Sequence, residues 1–159
     1  MMPLDGLTVV VTRAKTQASV LSDKLAALGA NAVGVATIEI VPPADGRAAL
    51  DAALVAGGYD QLAVASPNGA KALATAVADL AARGQLDPAA VAPVACVGPS
   101  TAAKLDDSPL RVNIVPDRAV AEGLVDAVPV PEPAANRLLL VQAEVARDVL
   151  ELGLSAKGW

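Results

Sequence analysis

The chain of 159 residues has no histidine and no phenylalanine, and only one cysteine, one tryptophan and one tyrosine. Without histidine and with a single thiol, the chain can assemble neither a zinc site nor a His-assisted nucleophile. A disulfide within the chain is equally impossible, which suits a reducing cytoplasm. So few aromatic rings leave no platform for stacking bases and no cage for an organic cation. Basic residues are also short, 12 Lys and Arg against 17 Asp and Glu, for a net charge of −5. A nucleic-acid-binding role therefore lacks its electrostatic footprint. Long apolar runs are missing too. A spanning helix needs roughly 20 consecutive apolar residues, and the best run, Ala52 to Val64, is broken by Gly57, Gly58, Asp60 and Gln61. The stretch Met1 to Thr12 carries Asp5 and no basic region before its apolar residues, so it does not read as a signal peptide. The expectation is a soluble chain away from membranes.

What the chain does have is an apolar fraction of 54%, most of it Ala, Val and Leu. The pattern is strand, then helix, repeated. Leu7 to Thr12 is a β-branched run of the kind buried on both faces of a parallel sheet. Arg13 to Leu28 follows with Val20, Leu21, Leu25 and Leu28 at helical spacing and Gly29 as its stop. Asn31 to Val41 is extended and ends at Pro42-Pro43. Further on, strands are predicted at Leu62 to Ala65, Pro93 to Val97, Arg111 to Val115 and Leu138 to Val141. Helices are predicted at Ala48 to Val55, Asn68 to Arg83, Ser100 to Leu105, Ala121 to Val128 and about Val145 to Lys157. Leu73, Val77 and Leu80 share one helix face, and Pro129, Pro131 and Pro133 stiffen a connector. This alternation predicts an α/β fold, a flavodoxin-like doubly wound parallel sheet.

In such sheets ligands sit beyond the carboxyl ends of the strands. Five turns occupy that place: Thr12-Arg13, Ser66-Pro67-Asn68-Gly69, Gly98-Pro99-Ser100-Thr101, Ala121-Glu122-Gly123 and Gln142-Ala143-Glu144. Each admits two readings. Ser66 or Asn68 caps the helix that follows, or the backbone N–H groups there face a ligand anion. Gly98 makes a tight corner, or it lets a ligand approach the backbone while Ser100 or Thr101 offers a hydroxyl. Arg13 is a surface cation, or it receives a carboxylate in bidentate fashion. Glu122 and Glu144 complement helix starts, and Cys96 reads as a small core residue. Neither G-x-G-x-x-G nor G-x-x-x-x-G-K-[ST] occurs, which removes the familiar phosphate loops.

The ordered fragments resemble the uroporphyrinogen-III synthase family. Val9-Val-Val-Thr-Arg13 is similar to its opening V-L-V-T-R-P, and Ile38-Glu-Ile-Val-Pro42 to its I-x-I-x-P crossover. Tyr59 to Gly69 resembles Y-D-W-L-V-F-T-S-A-N-G, and Ala95 to Ala102 resembles A-x-V-G-P-x-T-A. Ala121-Glu-Gly-Leu124 matches a later A-E-G-L, and Leu138 to Arg147 resembles L-L-x-P-R-G-E-I-A-R. Ala14, Ala65 and Val120 depart from the family's usual Pro, Thr and Thr, and Val141-Gln142 stands where Pro-Arg is common.

The resemblance implies a cofactor-free enzyme that closes hydroxymethylbilane, a linear tetrapyrrole with eight carboxylates, into uroporphyrinogen III. The family inverts the last pyrrole ring through a spiro intermediate and expels water; unaided cyclisation yields isomer I. Such a substrate needs positioning and stabilised charge more than a strong nucleophile. The family holds it largely through main-chain amides lining an interdomain cleft. By that resemblance Ser66, Asn68, Gly98, Pro99, Ser100 and Thr101 line the cleft. Thr12 and Arg13 face it from the other domain, with Ala121 and Glu122 at its edge. Domain 1 is discontinuous in the family, so Met1 to about Val35 is expected to be its first part and Ala36 to Trp159 the second domain. Its remainder is then expected after Trp159, where Lys157-Gly158-Trp159 would open the next strand, and residues 1–159 alone are expected to be inactive. The protein is expected to act as a monomer in the cytoplasm. The alternative is a non-catalytic α/β ligand-binding module or an inactive remnant of the enzyme.

Overall fold

The structure, a computed structural model, describes residues 2–45, 47–143 and 146–159. It divides into two compact units, Met1–Pro42 and Pro43–Trp159. In the first, β1 (Thr8–Val11) and β2 (Asn31–Gly34) pair in parallel, joined by helix α1 (Lys15–Ala27). The register sets Val9 against Ala32 and Val11 against Gly34. β1 was expected to be buried on both faces, and it is not. Val11 is buried, but Val10 is 55% exposed, and α1 buries none of its residues, with Val20 63% exposed. The reason is stoichiometric: two strands and one helix do not supply enough neighbours for an apolar strand, and a two-stranded sheet is marginal by itself. The extended reading of Asn31 to Val41 also shortens, since ladder pairing ends at Gly34. Beyond it Val35 N–H donates to the Val11 carbonyl, and Thr37 donates to the Thr12 carbonyl through both N–H (3.3 Å) and Oγ1 (3.1 Å).

The second unit holds α2 (Ala48–Ala56), β3 (Gln61–Val64), α3 (Pro67–Ala82), a single 3₁₀ turn (Pro88–Ala90) and β4 (Val94–Cys96). Then come α4 (Pro99–Ala102), β5 (Val112–Ile114), α5 (Ala121–Ala127), β6 (Leu138–Val141) and α6 (Val149–Ala156). Its four strands lie in parallel in the order β5-β4-β3-β6. The α/β, doubly wound arrangement predicted from the pattern is thus observed, with the strands divided between two sheets rather than joined in one. Alternation along the central strands explains the layering. Leu62 and Val64 of β3, with Val94 and Cys96 of β4, pack under α2 and α3 through Leu54, Leu73, Val77 and Leu80. Ala63 and Ala95 face the opposite way, toward Leu124 and Val128 of the α5 segment and Leu150 and Leu154 of α6.

Helix boundaries follow local chemistry. The Ser66 Oγ accepts from Gly69 N–H at 3.1 Å and Pro67 occupies the first helical position, so α3 starts there rather than at Asn68. Three helices end alike, with Gly29, Gly84 or Gly158 at positive φ. After α6, Gly158 N–H donates to the Ser155 carbonyl and Trp159 N–H to the Leu154 carbonyl, the paired bonds of a Schellman stop. Trp159 therefore closes a helix, packing on the Leu124 cluster, and its indole N–H donates to the Pro129 carbonyl at 2.8 Å. It lies in no strand.

Most polar groups inside the unit are paired. Gln61 is only 6% exposed, and its amide donates to the Pro93 carbonyl at 2.8 Å. It also exchanges hydrogen bonds with the Asn113 side chain, both at 3.1 Å, where the β4–β5 register slips between Val94 and Ala95. The Arg47 guanidinium bridges Asp51 of α2 (2.8 Å) and Asp79 of α3 (2.9 Å), and these carboxylates, Asp51 foremost, push its pKa up. The Lys157 ammonium donates to the Val125 (2.6 Å) and Val128 carbonyls, covering the end of α5.

Leu62 is buried between the central strand and α3, so Leu62→Ala should lower stability by about 2–5 kcal/mol. A urea titration followed by circular dichroism checks this.

Candidate functional site

β3, β4 and β5 are laid down successively in one direction, after which the chain crosses back to place β6 on the other side of β3. The carboxyl ends of β3 and β6 therefore form the switch point at which open α/β sheets bind ligands. The close approach is visible at Gly69, where an added Cβ would sit 3.4 Å from both the Val141 carbonyl and the Ser66 hydroxyl. Ser66 is half-buried with its hydroxyl committed to the helix cap, and Asn68 is exposed in the first turn of α3. The neighbouring turn carries Gly98 (buried), Pro99 and Ser100 (exposed) and Thr101 (fully buried).

Two of these residues behave differently from their sequence reading. Gly98 has extended backbone, so conformation does not require glycine there. An added Cβ would lie 2.5 Å from the Ala119 methyl, so the close approach that Gly98 permits is made by the chain itself. Thr101 presents no hydroxyl to solvent: its Oγ1 is buried and unpartnered. An unpaired buried hydroxyl carries a desolvation penalty of about 1–3 kcal/mol. Cys96, two residues before this turn at the end of β4, is fully buried, and burial pushes its thiol up from 9.0 to about 11. It is a core residue, as its sequence context suggested.

The third turn leads from β5 into α5. Ala121 is half-buried and Glu122 exposed. Val120 precedes the helix without a side-chain cap, and Glu122 pairs with Arg147 at 3.5 Å. The Arg118–Asp126 pair (2.9 Å) borders a shallow groove of about 480 Å³, shared with Val115, Pro116 and Gly123. Both pairs are exposed and add little stability. Gln142 and Ala143 follow β6, while Glu144 and the predicted helix start at Val145 lie outside the described residues.

In the first unit, Thr12 and Arg13 are exposed after β1, and the Thr12 carbonyl is occupied by Thr37. A groove of about 530 Å³ opens beside them, lined by Ala14, Lys15, Thr16 and residues 36–40. Lys15 and Thr16 escaped the sequence reading because they fall inside the helix, one turn beyond the strand end. α1 begins without a side-chain cap and has no acidic residue in its first turn, an arrangement suited to an anion. What the turns offer is backbone donors, hydroxyls and a few exposed cations. No helix among the described residues is long and apolar enough to cross a membrane.

Comparison with known proteins identifies the pattern. The family model for uroporphyrinogen-III synthase HemD matches residues 19–159. The uroporphyrinogen-III synthase of Synechococcus elongatus is 31% identical over 157 residues, covering 98% of this chain and 58% of that protein. The chain thus spans a little under three-fifths of the curated relative it matches. The crystal structure of uroporphyrinogen III synthase from the extremely thermophilic bacterium Thermus thermophilus superposes with a TM-score of 0.63 at 20% identity, over 97% of this chain and 58% of that one. A selenomethionine derivative of a mutant of the same protein gives 0.67, also at 20% identity, over 97% and 59%. At that identity the structures speak for the fold.

In the folded protein Cys96 keeps its proton longer than in the unfolded chain. Its contribution to stability is therefore full below pH about 9 and lost as pH rises through about 11. Urea midpoints measured from pH 8 to 11 should fall less steeply for Cys96→Ala than for the unsubstituted chain, and a thiol reagent at pH 8 should label Cys96 only after unfolding.

Proposed function

The chain belongs to the uroporphyrinogen-III synthase family, and on that premise we propose that its protein cyclises hydroxymethylbilane to uroporphyrinogen III. The observation that carries the reading is the pair of adjacent strand-to-helix turns, Ser66–Gly69 and Gly98–Thr101, at the carboxyl ends of β3 and β4. They carry two of the fragments that resemble the family's motifs. The substrate loses its terminal hydroxyl as water and forms the ring-closing bond at the inverted last pyrrole. Because it also cyclises unaided, to isomer I, the protein's task is to hold one geometry and to stabilise the charge that develops as the hydroxyl departs. Neither task needs histidine or a reactive thiol, and none is available here.

Each candidate residue then has a role of binding. Ser66, Asn68, Pro99 and Ser100 present hydroxyl, amide and main-chain groups at the two turns, and Gly98 shapes the corner between strand and helix. Ala121 and Glu122 border the next turn. In the first unit Thr12 and Arg13, with Lys15 and Thr16 nearby, offer main-chain donors and cations for carboxylates. Thr101 is sealed in this structure, and its hydroxyl joins the site when the turn shifts to admit the substrate. The enzyme works as a monomer in the cytoplasm, without a cofactor. The single cysteine suits that compartment.

The domain reading belongs to the same proposal. Residues 1 to about 35 form the first part of a discontinuous domain and about 36 to 159 the second domain. The exposed Val10 and Val33 of the first unit support it, because apolar β-branched residues on a parallel pair are the kind that further strands and helices cover.

The test is to supply freshly generated hydroxymethylbilane and separate isomers I and III. The full product of the reading frame should yield isomer III, and isomer I alone from it would overturn the synthase reading. Residues 1–159 by themselves should leave only isomer I; isomer III from them would overturn the two-part domain. Thr101→Val removes the unpartnered hydroxyl, so it should leave stability unchanged or raise it by about 1 kcal/mol. Turnover should drop, and unchanged kinetics would remove Thr101 from the site.

A further inference from the structure

Two of the glycines near the candidate turns are filled from the same place. A Cβ at Gly98 would lie 2.5 Å from the Ala119 Cβ and 3.3 Å from its Cα. A Cβ at Gly123 would lie 2.2 Å from the Arg118 carbonyl oxygen and 3.1 Å from the Arg118 Cβ. Arg118 and Ala119 are consecutive, and the Val120 N–H donates back to the Arg118 carbonyl at 2.8 Å, folding the segment into a tight turn. One dipeptide is thereby wedged between the turn after β4 and the first turn of α5. Asp117, Arg118, Ala119 and Val120 are all exposed. The segment itself is thus exposed, while the two glycines it packs against, Gly98 and Gly123, are buried beneath it.

We propose that Ala119 is a positioning residue: its methyl, seated in the space left by Gly98, sets the gap between the Gly98–Thr101 turn and the Ala121–Glu122 turn. The inference rests on the reading above, since the gap matters only if the two turns hold one ligand. Its physical content is separate. A methyl against an absent methyl works as a spacer with one allowed setting, because close-packed atoms yield little. The Gly98 corner on one side and the start of α5 on the other then move together, and main-chain donors on both keep a fixed spacing. Gly123 secures the other flank by admitting the Arg118 carbonyl. Ala119 touches no ligand in this account and acts only through the two turns.

The test is a two-by-two exchange of the methyl in the full product of the reading frame: Gly98→Ala, Ala119→Gly and the double variant. Three measurements are compared, namely affinity for uroporphyrin III by fluorescence anisotropy, KM and kcat with hydroxymethylbilane, and the thermal midpoint. Gly98→Ala alone puts two methyls in one space and should weaken uroporphyrin III binding and raise KM by about tenfold, with a smaller change in kcat. Moving the methyl from one side to the other should restore both to within about twofold of the unsubstituted protein. Ala119→Gly alone should raise KM by about two- to threefold with no fall in the thermal midpoint beyond that of an ordinary surface change. Additive effects without rescue would overturn the inference while leaving the synthase reading intact. The same holds for a loss of affinity that merely tracks the fraction unfolded. A coupled exchange in uroporphyrin III binding, in a protein that forms only isomer I, would uphold the spacer and overturn the synthase reading. Failure of the unsubstituted protein to bind uroporphyrin III would overturn the inference.

Discussion

The second unit depends on one constraint, that the short strands β3 and β4 are buried on both faces. Every residue of Gln61–Val64 and Val94–Cys96 is buried. Strands that expose nothing must have a helix layer on each side, and a parallel sheet whose connections run through helices supplies both. The alternation of Leu62 and Val64 with Ala63, and of Val94 and Cys96 with Ala95, assigns the larger side chains to the α3 side and the alanines to the α5–α6 side. A sheet that presents alanine lets helices approach closely. Gly153 of α6 serves the same end, since an added Cβ would lie 2.7 Å from Val125 of α5. The alanine-rich composition is thus the means by which a chain without phenylalanine reaches a close-packed interior.

The same two-sided burial creates the candidate site. A strand that ends inside a sandwich of helices must turn out at its carboxyl end, where the next helix begins. Such turns crowd one end of the sheet, and the reversal after β5 sends the helices that follow the paired strands β3 and β6 to opposite faces there. The chemistry on offer is modest: capped and uncapped amides, a few hydroxyls and exposed arginines already leaning on Glu122 and Asp126. That poverty is in keeping with the proposed reaction, in which the substrate would supply its own reactivity and the protein geometry.

The first unit obeys the same rules with too few elements. β1 has the β-branched sequence of a central strand, and α1 has a helical apolar stripe, yet little of either is buried. The pattern predicted a burial that these elements do not reach. Periodicity reports what a segment requires of its neighbours, and the unit holds one helix and one partner strand. Thr37, donating twice to the Thr12 carbonyl, shows how an irregular segment can still be tied to a strand end.

By itself the sequence determined the class of fold, the order of strands and helices and the glycine stop at residue 29, and it marked the turns proposed to hold a ligand. These are local properties, carried by β-branched runs, helical spacing and residues with special backbone freedom. Tertiary structure alone decided the division into two sheets, the crossing of β6 to the far side of β3, and the pairing of Gln61 with Asn113 across a slipped register. It also decided that Thr101, whose place in a turn suggested an offered hydroxyl, is sealed inside, and that Gly98 makes room for Ala119. Each of these depends on which distant segment arrives alongside. A side chain's spacing in the chain says nothing about the neighbour 20 or 50 residues away that fills or shields it.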